Sequence, residues 1–257
     1  MVADFRPVSV EIASPAYVLR TRPYGELDLI VTLLTDRHGK ITGIAKAAKH
    51  SRRRFGGTLQ PFVHVRAVFR QRPHADLVFL LRCEHLEALR TFSEDVDRFA
   101  AGSYVLDVTD RMTIGRESSH EVFGLLHEAL GLLDRGAAIE PVLRAFELHL
   151  LAATGYEPAL DRCRRCGSLA AAEGMYAQPA RGGILCGRCR GEGRSYVISR
   201  GTLERLMALQ QVSFDAPDVS GFALQPGVAA EARALLRSFF AANLTAPLAS
   251  ERLLDAL

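Results

Sequence analysis

The first third of the chain carries apolar residues at a period of two. Ala16–Arg20 reads as one strand and Asp28–Thr35 (DLIVTLLT) as a second. The turn Asp36-Arg37-His38-Gly39 leads into a third, Lys40–Ala48. Phe62–Arg70 alternates cleanly, with Val63, Val65, Ala67 and Phe69 on one face and His64, Arg66 and Arg70 on the other. Leu77–Cys83 supplies a fifth strand. Five strands in so short a stretch are too few for two packed sheets of ordinary size, whereas a small closed barrel of the OB type leaves no open edge.

Beyond residue 88 the period becomes helical. Ser93, Glu94 and Asp95 form a helix-start signal, with the acids at the positive end of the helix dipole, and Val96, Phe99 and Ser103 follow at helical spacing. Ser119 opens a second helix carrying Val122, Leu125, Leu126, Ala129 and Leu133. Pro141 suits the first turn of a third, with Phe146 and Leu150 inward and Gly155 past its end. Helices return at 199–211, 228–243 and 250–256. The expected fold is therefore α+β: an OB-fold barrel (1–88), a helical domain (89–160 and 195–257), and a four-cysteine, zinc-ribbon-like module (161–194) inserted in it.

Composition adds little except in the charge. Apolar residues make up 48 % of the chain and charged ones 24 %, the ordinary balance of a globular protein. No apolar run reaches the ~18–20 residues of a membrane span, and the first twenty residues lack a signal-peptide core. A reducing cytoplasm is the expected location, so paired cysteines suggest metal rather than disulfides. The net charge of +3 hides an asymmetry. From Arg37 to Ala75 there is no Asp or Glu, while ten lysines and arginines fall there, including every lysine in the protein. A segment of one sign repels itself, and a polyanionic partner is the natural explanation; a solvated face without a ligand is the bland alternative. Lys46, Lys49, Arg52, Arg53 and Arg54 lie at and after the third strand, where a loop reaches phosphates. Arg22, Lys40, Arg66 and Arg70 extend the candidate surface. Tyr24 and Phe55 are candidate stacking platforms, with core packing the even alternative.

Cys163-Arg-Arg-Cys166 and Cys186-Gly-Arg-Cys189 are separated by nineteen residues. Two CxxC pairs at this spacing predict one structural zinc ion per chain: four thiolates complete a tetrahedron and leave no open position. Gly167 and Gly187 let each turn fold close to the sulfurs, and Arg164, Arg165 and Arg188 offset the negative centre. Cys83, in a strand, reads as a small buried hydrophobe. His85-Leu86-Glu87 matches half of a zinc-deaminase signature, but no proline precedes Cys163 and the second CxxC would have no role. His120 and His127 read as surface or interface residues. The phosphate loop, HExxH, GxGxxG and GxSxG are absent. No catalytic centre is expected.

Several segments in order resemble the RecO family. Arg22-Pro-Tyr-Gly-Glu26 joins the first two strands; Gly39–Ala48 with Lys49–Arg54 is similar to that family's basic stretch, although Ala47 stands where a glycine is common. Leu59-Gln-Pro-Phe62, Leu151–Gly167 and Ser250 before a final helix complete the match. The resemblance implies an OB barrel, a helical domain and a zinc insert. It implies a non-enzymatic protein that binds single- and double-stranded DNA, anneals complementary strands, and works with RecR to load recombinase on DNA coated with single-strand-binding protein. The acidic C-terminal tail of that coating protein is an expected partner, and association with the bacterial nucleoid follows. The alternative is an OB-fold zinc protein that binds RNA.

Overall fold

The computed structural model describes residues 10–72, 75–115, 119–169, 174–214, 219 and 222–255. Two compact units divide the chain: residues up to Val96 with Leu106–Gly124, and Asp97–Val105 with Leu125 onward.

In the first unit, β1 (Glu11–Tyr24), β2 (Asp28–Thr35), β3 (Gly39–Ala45), β4 (His64–Arg70) and β5 (Leu77–Glu87) close into a barrel of order β1-β2-β3-β5-β4. All neighbours are antiparallel except β3 and β5, which run parallel. This is an OB-like Greek-key barrel. Strand β2 has the expected bounds, but β1 is far longer than Ala16–Arg20. Its first half pairs with β4 and its second half with β2, so closing the barrel requires one strand to cross it. The ladder shifts between Val18 and Arg20, where the strand changes partners.

Alternation decides the core. Val65, Ala67 and Phe69 point inward with Val18, Val31, Leu33 and Leu80. Cys83 joins this cluster as expected, and burial pushes its thiol up to about 12. Phe55 joins it too, 3 % exposed, which decides between platform and core packing for the latter: the aromatic enters the barrel core from the short helix α1 (Arg52–Phe55). The outer face is also covered, since Tyr17 stacks on His64 at 4.6 Å and meets Phe123 at 5.6 Å.

The second unit draws on α2 (Val96–Met112), α3 (Ser119–Asp134), α4 (Ile139–Ala153), α5 (Arg200–Gln211), α6 (Pro226–Asn243) and α7 (Glu251–Leu254). Helix α2 starts after the expected Ser93 signal, because Thr91–Ser93 forms a separate 3-10 turn. Ser199 caps α5 by accepting from the Thr202 amide at 3.3 Å. Phe146, Leu150, Phe239 and Phe240 are all buried, so they are core rather than an open groove for a partner peptide. Within that core, the Tyr104 hydroxyl donates to Glu147 at 2.5 Å and Arg144 pairs with Glu147 at 3.2 Å. Burial raises the Glu147 carboxyl to about 7; the Arg144 charge and the Tyr104 bond oppose that rise. No described helix is long and apolar enough to cross a membrane.

A small sheet of order β6-β8-β7-β9 lies between α4 and α5 in sequence: β6 (Ala159–Cys163), β7 (Met175–Gln178), β8 (Gly183–Cys186) and β9 (Tyr196–Val197). It carries the cysteines.

Candidate nucleic-acid interface and metal centre

One end of the barrel collects the basic residues that follow β3. The turn from β1 to β2 and the loop from β3 to α1 are laced together there. Asp28 accepts from the Ala47 amide at 2.8 Å and from Lys46 Nζ at 2.6 Å. These two bonds, Lys46 first, hold the Asp28 carboxyl below its usual value. Lys49 donates to the carbonyls of Gly25 and Glu26 at 3.1 and 2.8 Å. Arg54 donates to Lys46 O at 2.6 Å and Ser51 Oγ at 3.0 Å, with its guanidinium over the Phe55 ring. Ala47 takes φ 52, a left-handed conformation that glycine adopts without strain. The Asp28 bond to its amide holds it there.

Arg22, Arg52 and Arg53 are exposed and their side chains have no hydrogen bond or ion pair among the described residues. Tyr24 stands at the end of β1 opposite Asp28, 49 % exposed. The arrangement is a rigid basic loop with loose arginines and one exposed aromatic, chemistry suited to a phosphate backbone and its bases.

The four cysteines converge in the second unit. Their sulfurs all lie within 4.8 Å of one another, and Cys166 Sγ is 3.8 Å from Cys186 Sγ. A tetrahedron with zinc–sulfur bonds of ~2.3 Å has sulfur–sulfur edges of ~3.8 Å, which the Cys166–Cys186 edge matches, so the donor set suits such an ion. Cys163 ends β6 and Cys186 ends β8, strands that run parallel, and this brings the two turns together. Gly167, φ 73, makes the first turn and donates to Cys163 O at 2.8 Å. Gly187 lacks a positive φ, and a Cβ there would meet nothing closer than 3.9 Å, so the second turn does not need glycine. Burial raises the Cys163 thiol, but the amides of Cys166, Cys186 and Arg165 outweigh it and bring it to about 6. The Ser168 hydroxyl and amide lower Cys166. Hydrogen bonding to Cys166, then burial, pushes Cys189 up to about 12.

Comparison with known proteins agrees across both units. The family described as Recombination protein O N terminal matches residues 9–89, and Recombination protein O C terminal matches 93–252. The chain belongs to the RecO family. Proteins named DNA repair protein RecO are similar along nearly the whole length. That of Anaeromyxobacter sp. (strain Fw109-5) is 37 % identical over 93 % of each chain. Those of Symbiobacterium thermophilum and Syntrophus aciditrophicus are 35 % and 32 % identical over 93 % of this chain, covering 95 % and 93 % of theirs. The alternative of an RNA-binding protein finds no support in these matches.

On the RecO-family barrel the expected site residues do not all gather. Lys46, Lys49, Arg52, Arg53 and Arg54 share one end with Tyr24, and Arg22 is two residues before Tyr24 on β1. Lys40 is set apart: its Nζ is 3.2 Å from Asp110, which also pairs with Arg20 at 3.0 Å, so its charge is partly offset internally. Arg70 pairs with Glu11 at 2.7 Å at the opposite end of β1 from Tyr24, and Arg66 lies opposite Pro15. Sequence reading missed Asp28 as the anchor of the basic loop. Its place three residues after Gly25 was visible; its partner Lys46 was not.

Proposed function

We propose that the chain serves DNA repair as a non-enzymatic recombination mediator. It binds single- and double-stranded DNA at the basic barrel end and anneals complementary strands. With RecR it helps load recombinase on DNA coated with single-strand-binding protein, whose acidic C-terminal tail it engages. Its place is the bacterial cytoplasm, at the nucleoid. The DNA-repair role is the one that the names of its relatives carry.

The observation that carries the reading is the gathering of Lys46, Lys49, Arg52, Arg53 and Arg54 beside an exposed Tyr24 on one barrel end. Cations held there neutralise phosphates, lower the repulsion between two strands and let complementary bases pair, with no hydrolysis required. Arg22 and Tyr24 extend the contact along β1. Lys40, Arg66 and Arg70 are peripheral in this reading. Zinc is the ion assigned to Cys163, Cys166, Cys186 and Cys189, one per chain, on the strength of an all-thiolate set that closes around it. Its role is structural.

The test is a charge reversal. If each free cation meets one phosphate, log K against log[salt] slopes by about −0.7 per contact on single strands. Replacing Arg52, Arg53 and Arg54 by Glu weakens binding to all sequences alike, flattens the slope, and abolishes annealing at moderate salt. Unchanged affinity at the barrel end in that variant overturns the reading.

A further inference from the structure

The cysteine module carries cations that neither the metal nor the fold uses. Residues 161–194 hold seven arginines against three acids. Arg162 is paired with Asp161 at 2.7 Å, and Arg190 lies over the Tyr176 ring and bonds Ser195. The other five, Arg164, Arg165, Arg181, Arg188 and Arg194, are exposed, and their side chains have no hydrogen bond or ion pair among the described residues.

The sheet gathers them: Arg194 lies two residues after Glu192, whose carbonyl accepts from Gln178 Nε2 at 3.3 Å, and Gln178 leads directly into the 3-10 turn Pro179–Arg181. Arg164 and Arg165 occupy the first cysteine turn and Arg188 the second, and the two turns share one cluster of sulfurs. Arg164 donates its amide to Ile184 O at 2.8 Å, and its Nε lies beside Gly182, next to Arg181. Offsetting a four-thiolate centre accounts for cations within the turns. It does not account for Arg181 and Arg194, which lie outside them. Tyr196, 46 % exposed on the edge strand β9, adds an aromatic face two residues from Arg194. Free guanidinium forks with an exposed ring match phosphate oxygens and an unstacked base.

We propose that this face of the module is a second nucleic-acid surface, holding the phosphate backbone of a DNA strand independently of the barrel end. The inference rests on the DNA-binding reading above and deepens it: a chain with two such surfaces holds two strands at once, which is what annealing needs.

The experiment is a stoichiometric titration of the full-length protein with a short oligothymidylate, about ten nucleotides long so that it fills one surface. Wild type takes up two oligomers per chain. Arg181→Ser/Arg194→Ser, together with Arg164→Ser, Arg165→Ser and Arg188→Ser, takes up one, with zinc content unchanged by elemental analysis. If that variant loses zinc, the Arg181→Ser/Arg194→Ser pair alone is read, and it weakens the second binding event about tenfold or more. The barrel variant with Arg52, Arg53 and Arg54 changed to Glu retains one oligomer, bound by the module. One oligomer per wild-type chain, lost in the barrel variant and untouched in the module variants, overturns the inference and leaves the barrel reading standing. One oligomer lost only in the module variants overturns the barrel reading instead.

Discussion

In the barrel, Val65, Ala67 and Phe69 belong to one apolar cluster of fourteen buried residues inside a closed ladder; in the cysteine module, β7 meets β8 over four residue pairs and β9 over two. The first is a core of apolar side chains, the second a set of sulfurs with a thin sheet around it. Their cations differ in the same sense. Lys46, Lys49 and Arg54 of the barrel end are bonded to Asp28 and to loop carbonyls, whereas Arg164, Arg165 and Arg188 of the module are loose. The barrel end, backed by a hydrophobic core, holds Lys46, Lys49 and Arg54 in place and leaves Arg22, Arg52 and Arg53 without a hydrogen bond or ion pair among the described residues. A module this small has little apolar surface to bury, and a metal on its four cysteines, as proposed above, would stand in for the core.

The largest expected effect comes from taking the metal away. Structural zinc sites carry apparent binding energies of about 10–16 kcal/mol, all of it available to folding. Chelation, or Cys166→Ser, strips amide-exchange protection from residues 159–198 while strands β1–β5 keep theirs. Loss of protection in both regions together would break the contrast. Smaller, and opposite in location, is Phe69→Ala. The side chain is fully buried in the barrel, and its removal costs about 3–5 kcal/mol. The barrel unit then melts at lower denaturant while bound zinc stays at one per chain. Release of zinc at the same denaturant concentration would show that the two regions depend on each other.

The smallest effect sharpens the contrast in the cations. Asp28→Asn leaves an acceptor for the Ala47 amide but removes the charge that holds Lys46. With Lys46 released to a phosphate, the salt dependence of single-strand binding steepens by about 0.7, one contact. An unchanged slope by fluorescence anisotropy would mean that Lys46 serves the loop and not the ligand.

Much of this was legible without coordinates, because the signals were local. Asp28–Thr35 appears with its expected bounds, and the inward face of β4 follows from alternation. The four cysteines meet because two CxxC turns have one efficient use for their thiolates. The family resemblance, read from short segments in order, stands over both units. What stayed open was whatever depends on a partner distant in sequence. For Phe55 platform and core stood as equal readings, and only barrel closure decides for core. The helix start signalled at Ser93–Asp95 was local and legible to within a few residues: α2 begins at Val96 after a 3-10 turn.

The sequence by itself determined the strand and helix periods, the two cysteine pairs and the concentration of positive charge, all properties of neighbouring residues. Only the tertiary structure decided which cations act together. Ten basic residues between Arg37 and Ala75 form one run in sequence, yet the register of β1 against β4 sends Arg70 to Glu11, and Lys40 finds Asp110 seventy residues away. Coulomb attraction falls with distance in space, not along the chain, and that distance is set by the strand order of the closed barrel.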